Sequence, residues 1–238
     1  HLIEGGYKAF RSAVVTDIPQ QVQRLQFKVL CGPTGSGKTR LLQALAAQGA
    51  QVLDLEALAS HRSSVLGAIP GQPQPTQKAF ETTLWQTLRL LRKDQPVFVE
   101  AESKKVGNLT VPDALIQAMR QSPCIRLDLP LSGRVQLLLE DYAYFSKDPA
   151  FFCDRLDRLI DLKGRALIEE WKDRVHAGQT AAVVAELLEK HYDPGYETST
   201  ARNFRQYAQA PVLSLTGPGH AEMAAAAQHW LASAPAAV

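Results

Sequence analysis

The sequence predicts an α/β fold in which helices flank a parallel sheet, with a helical insertion or subdomain in the C-terminal half. Three observations lead to this prediction. Up to Pro130, short apolar runs alternate with stretches whose apolar residues recur at helical spacing. A glycine-rich turn joins the first such run to the first such helix. Beyond Pro130 the apolar residues recur at intervals of three and four, which is typical of helices alone.

The first predicted strand and helix flank the glycine-rich turn. The apolar run Phe27–Cys31 predicts a buried strand, and residues 38–48 have helical spacing through their leucines. Residues 51–55 predict a second strand. Residues 76–92 predict a second helix, for which Thr76 is placed as the N-terminal cap. The segment between them is rich in Pro, Gln and Gly and predicts a loop.

Two more strands and one helix complete the predicted core. Residues 96–99 predict a buried strand that ends in Glu100, and residues 112–120 predict a helix that begins at a Pro-Asp pair. Residues 124–129 predict a fourth strand. In a parallel α/β sheet, ligands bind at the carboxyl ends of the strands. The residues that follow these strands are therefore the candidates for a functional site.

The C-terminal half predicts a helical segment that returns to the sheet. Residues 132–209 have helical spacing throughout, with a turn signal at residues 193–195. Residues 211–215 predict a last strand, which an alanine-rich helix follows from about His220. The predicted helix starts within the segment are Ser132, Asp148 and Thr180.

These patterns divide the chain into four parts. We predict an α/β core over residues 23–130, a helical subdomain over residues 131–210, and a final strand and helix over residues 211–238. Residues 1–22 contain a glycine pair and a turn signal at residues 17–19. We interpret this first part as a segment that leads into the core.

Composition describes an ordinary globular chain and excludes several classes. The 238 residues carry a formal net charge of +2, which does not identify a nucleic-acid binder. Three cysteines without CxxC spacing argue against a disulfide framework and against a structural zinc site. No apolar run reaches the roughly 18 residues of a membrane span, and the N-terminus lacks the order of a signal peptide. We therefore expect a cytoplasmic protein without a membrane partner.

The glycine-rich turn carries the strongest chemical signal. It reads GPTGSGKT, which satisfies the phosphate-loop pattern GxxxxGK[ST] between a predicted strand and a predicted helix. Backbone N–H groups of such a loop face a phosphate, Lys38 reaches its outer oxygens and Thr39 holds Mg²⁺. The predicted fold is therefore that of P-loop NTPases. The residues predicted to bind phosphate are Gly32, Thr34, Gly35, Ser36, Gly37, Lys38 and Thr39.

A carboxylate at the end of a neighbouring strand completes the predicted site. Glu100 follows the apolar run PVFV, where the Mg²⁺ of a phosphate loop needs an oxygen ligand. Glu102 is the next choice. We predict that Lys38 and Glu100 are catalytic and that Thr39 and Glu100 hold the metal. The alternative for Glu100 is a solvated carboxylate at a strand end.

A polar segment follows the second predicted strand. Asp54 and Glu56 end that strand, and His61, Arg62 and Ser64 come shortly after. The segment belongs to the same sheet edge as the phosphate loop, where it could bind a second substrate. The alternative is a cluster of caps and salt bridges at a helix start. The spacing does not decide between the two interpretations.

Basic residues and cysteines each admit a functional and a structural interpretation. The basic residues could form a rim for RNA phosphates. Charged residues are commonplace on a solvated surface, however, and we favour the interpretation that they simply face solvent. Cys31, Cys124 and Cys153 stand in apolar surroundings and are predicted to be core thiols. The basic residues concerned are Lys104, Lys105, Arg120, Arg126 and Arg134.

Five segments taken together resemble one family. In their order and spacing they resemble the tRNA 2-selenouridine synthases. In that family a rhodanese-like domain precedes the phosphate-loop domain, and EGGYKAFR (4–11) resembles the junction between the two. Residues 1–22 are accordingly interpreted as the tail of a truncated rhodanese-like domain with its linker. The five segments read GPTGSGKT (32–39), DLEALASHRSS (54–64), QPTQKAFE (74–81), VEAESKKVGN (99–108) and HYDPGY (191–196).

The sequence also departs from the family pattern. Ser63 stands where the family word typically reads HRGS, and Ala101 stands where an acidic residue is common. The family carries selenium on a cysteine of the rhodanese-like domain, and no cysteine of this sequence lies in a rhodanese-like loop. We therefore expect this chain to lack the selenium-transfer cysteine and to need the missing N-terminal rhodanese domain as a partner.

The resemblance implies a transferase that acts on the wobble uridine of tRNA. In that family 2-thiouridine is first S-geranylated from geranyl diphosphate and then converted with selenophosphate to 2-selenouridine. Geranyl diphosphate and selenophosphate would be the co-substrates, and Mg²⁺ is expected at the loop. ATP or GTP could bind there but is not required. The residues implied to face the RNA or the prenyl substrate are Asp54, Glu56, His61, Arg62, Ser64, Glu102, Ser103 and Lys104. Phe80, Trp85 and Tyr142 could line a prenyl pocket, although core packing is the leading alternative.

Two other functions remain as alternatives. The same loop serves ATP in small-molecule kinases and NTPases, and Asp54 could orient an acceptor hydroxyl there. A pure RNA-binding module with a vestigial loop has only the basic residues near Lys104 in its support. Tight ATP binding with phosphoryl transfer would favour the first, and salt-dependent RNA affinity without diphosphate binding would favour the second.

Overall fold

A parallel five-stranded sheet forms the centre of the molecule. The computed structural model describes residues 4–62, 67, 69 and 71–233. In chain order the strands are β1 Phe27–Cys31, β2 Gln51–Leu53, β3 Val97–Glu100, β4 Lys105–Val106, β5 Leu109–Thr110, β6 Cys124–Asp128 and β7 Val212–Ser214. The main sheet has the order β2-β3-β1-β6-β7, and β4 and β5 form a separate antiparallel pair. The predicted parallel α/β sheet is thus confirmed.

Helices flank the sheet and form the C-terminal subdomain. They are α1 Gly6–Gln23, α2 Lys38–Ala47, α3 Leu55–Ala59, α4 Gln77–Leu90, α5 Asp113–Gln121, α6 Leu131–Asp141, α7 Ala143–Lys147, α8 Pro149–Asp157, α9 Ile160–Lys163, α10 Arg165–His176, α11 Thr180–Leu187, α12 Asp193–Asn203 and α13 His220–Ser233. A π-helical turn, Leu188–Tyr192, joins α11 to α12. None of the described helices has the length and apolarity to cross a bilayer.

Strand residues alternate between two apolar layers. Val29 and Val99 belong to the layer that includes buried side chains of α1, α4 and α5. Leu30 and Phe98 belong to the opposite layer, with buried side chains of α2 and α13. All four are at most 1% exposed, and burying each such side chain contributes about 1.5–3 kcal/mol. The three cysteines are also buried, as predicted for core thiols.

The register of the strands brings three strand ends together. β1 pairs with β3 so that Leu30 lies opposite Glu100, and β2 pairs with β3 so that Leu53 lies opposite Val99. All these strands run in the same direction, so their carboxyl ends share one edge of the sheet. The phosphate loop after β1 therefore lies beside the residues that follow β2 and β3.

The helical subdomain lies between β6 and β7 and has an apolar core of its own. Trp171 and Phe152 are fully buried at its centre, together with Leu156 and Val183. The indole N–H of Trp171 donates to Glu186 at 3.2 Å. The subdomain is thus built around an apolar cluster that is separate from the two layers of the sheet.

Two predicted turns are wrong, since helices run through both. Residues 17–19 lie inside α1, which tolerates Pro19 because Val14, Ile18 and Val22 are buried at a spacing of four against the core. Residues 193–195 begin α12. Proline is tolerated in the first turn of a helix, where its missing N–H has no intrahelical partner to lose.

Two further details differ from the sequence prediction. The second strand ends at Leu53 instead of residue 55, because Asp54 caps α3 by accepting the N–H of Ala57 at 2.8 Å. The short hairpin of β4 and β5 follows Glu102 and was not predicted. It is only two residues long on each side, too short for a periodic signal.

Candidate functional site

The phosphate loop has the backbone shape that its glycines predict. Gly35 and Gly37 adopt left-handed φ angles of 77° and 86°, which side chains with a Cβ rarely reach. A Cβ on Gly37 would also collide with the tip of Met223 on α13. The loop is therefore held in a curl between the sheet and α13, and its N–H groups lead into the start of α2.

Lys38 rests on the loop itself. Its Nζ donates to the carbonyl oxygen of Gly32 at 2.7 Å and to that of Pro33 at 3.4 Å. Ser36 is fully buried, and its Oγ has no hydrogen-bond partner among the described residues. The ammonium group of Lys38 and the hydroxyl of Ser36 are therefore hydrogen-bond donors that could bind an anion on the loop.

Three carboxylates meet beside the loop. Glu56, Glu100 and Glu102 each offer an oxygen within 4.8 Å of the others, and Glu100 and Glu102 are only 1% and 6% exposed. Thr39 donates its hydroxyl to Glu56 at 3.4 Å. The predicted residues Thr39 and Glu100 are thus both neighbours of Glu56.

The electrostatics of this cluster favour a cation. Burial, reinforced by the charges of Glu56 and Glu102, raises the pKa of Glu100 well above its usual value, while Lys38 acts in the opposite direction. One oxygen of Glu100 is buried and has no hydrogen-bond partner within the described part of the chain. Clustered carboxylates and a threonine hydroxyl are the hard oxygen donors that Mg²⁺ prefers. The residues present therefore fit the expected metal.

Arg134 ties the helical subdomain to the phosphate loop. Its Nε and Nη2 donate to the carbonyl oxygen of Thr34 at 2.9 and 2.8 Å. Its Nη1 and Nη2 also reach the carboxylate of Asp193 at 2.9 and 2.6 Å. Arg134 is 6% exposed, so neither the RNA rim nor the solvated surface considered for it is correct.

Tyr196 contacts the loop from α12. Its hydroxyl accepts the backbone N–H of Gly32 at 2.5 Å, and its ring centroid lies 5.9 Å from Nζ of Lys38. Burial raises the pKa of this phenol, so the hydroxyl stays protonated. Sequence patterns alone gave Asp193 and Tyr196 no role, although both belong to the HYDPGY segment.

The segment after β2 lies in the same cleft. Asp54 lines the cleft and also caps α3, so the capping interpretation is confirmed for it. His61 lines the cleft with a pKa lowered by burial. Arg62 lies over the ring of Tyr142 at 4.6 Å. Ser64 lies outside the described residues.

Only some of the other predicted substrate residues lie in the cleft. Glu102 and Ser103 line the cleft, whereas Lys104 points elsewhere and pairs with Asp113 at 2.8 Å. Among the basic residues, Arg120 lines the cleft, but Arg126 lies on the ring of Tyr207 at 4.9 Å. Of the basic residues considered for an RNA rim, Arg120 is therefore the one that lines the cleft in the described part of the chain.

An apolar recess adjoins the phosphate cleft. Thr34, Leu138, Tyr142 and Tyr192 line both cavities. The recess continues into the helical subdomain, where its further walls are Leu139, Phe145, Phe152, Val184 and Leu187. Two of the three aromatic residues considered for a prenyl pocket lie elsewhere: Phe80 is in the sheet core, and Trp85 donates to Asp17 at 2.7 Å.

Comparison with known proteins places this geometry in a family. Residues 25–153, which include the loop and all three carboxylates, match the family model of the tRNA 2-selenouridine synthase AAA domain. The chain belongs to the tRNA 2-selenouridine synthase family. The family resemblance seen in the sequence is thereby confirmed, and its phosphate-loop fold agrees with the sheet described above.

Individual tRNA 2-selenouridine synthases show the same relationship. The synthase of Alcanivorax borkumensis is 41% identical over 84% of this chain and 62% of its own length. The synthase of Nitrosomonas europaea is 41% identical over 59% of this chain and 37% of its own length. The synthase of Aeromonas salmonicida is 30% identical over 82% of this chain and 58% of its own length. The chain thus spans between about a third and two thirds of these relatives.

A solved structure was also found. The crystal structure of TT1252 from Thermus thermophilus aligns with 88% of this chain and 97% of its own, with a TM-score of 0.40 and 16% identity. The membership in the tRNA 2-selenouridine synthase family does not depend on that alignment.

Proposed function

We propose that this chain is the diphosphate-binding part of an enzyme that converts wobble 2-thiouridine of tRNA to 2-selenouridine through S-geranyl-2-thiouridine. Geranyl diphosphate would bind with its diphosphate on the phosphate loop. The observation that carries this proposal is the wall of Thr34, Leu138, Tyr142 and Tyr192 that the anion cleft shares with the apolar recess. A ligand with an anionic head in the cleft and a hydrocarbon tail would place the start of that tail against this shared wall.

The residues of the loop suit the transfer of a prenyl group. The sulfur of 2-thiouridine attacks the allylic carbon, the C–O bond to the diphosphate breaks, and its electron pair stays on the departing oxygen. The nucleobase loses its N3 proton to water. Negative charge therefore grows on the diphosphate, where the loop N–H groups and Lys38 stabilise it. In the second step, selenium of selenophosphate would attack carbon 2 of the nucleobase, and the C–S bond would break with release of geranyl thiol. Water would then hydrolyse the Se–P bond and release phosphate.

Mg²⁺ would be held by Thr39 and Glu100, with Glu56 and Glu102 beside them. When bound, it would neutralise part of the charge of the diphosphate. The chain's own contribution is the placing of three carboxylates within 4.8 Å of one another, close to the loop. Their mutual repulsion in a buried setting is relieved by a cation, which supports a metal in this position.

The complete reaction needs more than this chain. Cys31, Cys124 and Cys153 are all buried, so none of them is accessible to selenophosphate. We assign the selenium-transfer cysteine to the rhodanese-like domain of the family, which would act as a partner. The tRNA substrate would approach the open side of the cleft, near His61 and Arg62, and would place the enzyme in the cytoplasm.

The proposal is tested by calorimetric titration with geranyl diphosphate, inorganic diphosphate and ATP, each with Mg²⁺. We expect geranyl diphosphate to bind more tightly than inorganic diphosphate, because the recess adds apolar contact, and more tightly than ATP. Lys38→Ala should lose both diphosphates, while the exposed Lys93→Ala, with the same change in charge, should retain them. Tight binding of ATP alone would replace this proposal with a kinase or NTPase.

A further inference from the structure

The HYDPGY segment is linked to the phosphate loop directly by Tyr196 and indirectly by Asp193. Asp193 and Tyr196 lie three residues apart on α12, within one turn of the helix. Arg134 donates hydrogen bonds both to the carboxylate of Asp193 and to the carbonyl oxygen of Thr34. The hydroxyl of Tyr196 accepts the N–H of Gly32 directly. One helix turn of the subdomain thus holds the loop at two residues of the loop.

The contact at Gly32 bears on Lys38. The N–H of Gly32 is held by Tyr196, and the carbonyl oxygen of the same residue accepts Nζ of Lys38 at 2.7 Å. When an anion binds, Lys38 must leave this carbonyl oxygen for a phosphate oxygen. The hydrogen bond from Gly32 to Tyr196 does not have to break in that exchange. It can keep the start of the loop in place while the lysine moves.

The π-helical turn before α12 supports a role at the site. Turns of this kind are uncommon and occur often at functional sites. Here the turn ends at Tyr192, and the next residue is Asp193, the partner of Arg134. A π-helical turn shifts the register of the residues that follow it. The turn therefore determines which residues of α12 face the loop.

We propose that Tyr196 is a positioning residue of the phosphate loop, and that Asp193 supports it through Arg134. Together they hold the loop in its anion-binding shape before the diphosphate arrives, which lowers the ordering cost of binding. The proposal rests on the part of the proposed function that places a diphosphate on the loop. It does not depend on the prenyl tail or on the reaction.

The test compares Tyr196 on α12, whose hydroxyl bonds the loop, with Tyr207, whose hydroxyl bonds α12. Tyr196→Phe removes the hydroxyl that holds Gly32 and keeps the ring near Lys38. Tyr207→Phe is the matched control, since the hydroxyl of Tyr207 donates to Glu197 of α12 at 2.9 Å and not to the phosphate loop. Affinity for inorganic diphosphate is measured by calorimetry with Mg²⁺. Exchange of the Gly32 amide with deuterated solvent is measured without ligand.

We expect Tyr196→Phe to weaken diphosphate binding about five- to tenfold, the equivalent of one hydrogen bond, and to speed exchange at Gly32. Tyr207→Phe should change neither measurement, even where it lowers the unfolding temperature as much. Equal weakening by both variants would show a general effect on the subdomain and overturn the proposal. Unchanged affinity of Tyr196→Phe, or no binding of diphosphate by the wild-type chain, would overturn it as well.

The same measurements separate this proposal from the proposed function. If inorganic diphosphate binds and Tyr196→Phe weakens it, the role of Tyr196 stands even where geranyl diphosphate binds no better than inorganic diphosphate. In that case only the prenyl part of the proposed function fails. If geranyl diphosphate binds better and Tyr196→Phe has no effect, the proposed function stands and Tyr196 has no positioning role.

Discussion

Arg134 and Asp193 form a two-point ion pair at 2.6 and 2.9 Å, and the same guanidinium holds the carbonyl oxygen of Thr34. The pair joins the first helix of the subdomain to α12 and both of them to the phosphate loop. Arg134 is almost completely buried, whereas the carboxylate of Asp193 is 32% exposed. This unequal burial determines what a substitution on either side should cost.

Asp193→Asn should lower the free energy of unfolding by about 2–3 kcal/mol, because it leaves the buried guanidinium of Arg134 without a counter-charge. The partial exposure of Asp193 keeps the loss below that of a completely buried pair. Urea unfolding followed by circular dichroism measures the difference. Asp94→Asn, which breaks the exposed pair of Asp94 with Arg92, is the control and should cost much less, because water screens both charges. Equal losses for the two variants would contradict the buried role of Arg134.

Glu100→Gln should stabilise the free protein and impair its use of Mg²⁺. The substitution removes a buried carboxyl that desolvation and two neighbouring carboxylates disfavour as an anion. We expect a gain of about 1–2 kcal/mol in the free energy of unfolding without metal. Diphosphate affinity should then no longer rise when Mg²⁺ is added.

The matched control for Glu100→Gln is Glu189→Gln, an exposed glutamate of the π-helical turn. It should leave both the unfolding free energy and the Mg²⁺ dependence as they are. A destabilised Glu100→Gln variant that still responds to Mg²⁺ would mean that Glu100 has a purely structural role.

Glu186 should give the helical subdomain a measurable pH dependence. Hydrogen bonds from Lys190, Arg174 and Trp171 lower the pKa of Glu186 from 4.5 to about 2. Because the folded state binds the proton less readily than the unfolded state, the stabilisation is complete above 4.5 and is lost as the pH falls towards 2.

The comparison of wild type with Glu186→Gln measures this effect. At neutral pH the wild type should unfold at a higher temperature than Glu186→Gln. This difference in unfolding temperature should decrease once the pH falls below 4.5. If the difference in unfolding temperature stayed constant down to a pH of about 2, the carboxylate charge of Glu186 would make no contribution to stability. Thermal unfolding followed by the fluorescence of Trp171, which contacts Glu186, measures both variants.

Local sequence signals predicted the parts of the site that adjoin the strands. The strand-loop-helix unit around Lys38, the cap at Thr76 and the strand end at Glu100 each depend on residues within a few positions of one another. Parallel strands place their ends at one edge, so the meeting of Glu56, Glu100 and Glu102 follows from the same signals.

The other wall of the site could not be predicted in this way. Tyr196 meets Gly32 across more than 160 positions of the chain, and Arg134 meets Thr34 across 100. Such contacts depend on how the helical subdomain packs against the sheet, and no periodicity records that packing. The family resemblance singled out HYDPGY without a role, and the turn predicted inside it was wrong because proline is tolerated where α12 begins.

The insertion of the helical subdomain between β6 and β7 bears on the order of folding. β7 pairs in parallel with β6, so Val212 lies opposite Arg126 although the entire subdomain separates them in the chain. Pairing β7 with β6 closes a long loop, and closing a flexible loop of that length costs conformational entropy. If the subdomain has already folded and its two ends lie close together, most of this entropy has been lost before the strands pair. The edge strand should therefore join the sheet late, after the subdomain has collapsed, and non-local parallel pairing of this kind is slow. Until that moment β6 would be an open edge of the sheet, with unpaired backbone groups along it.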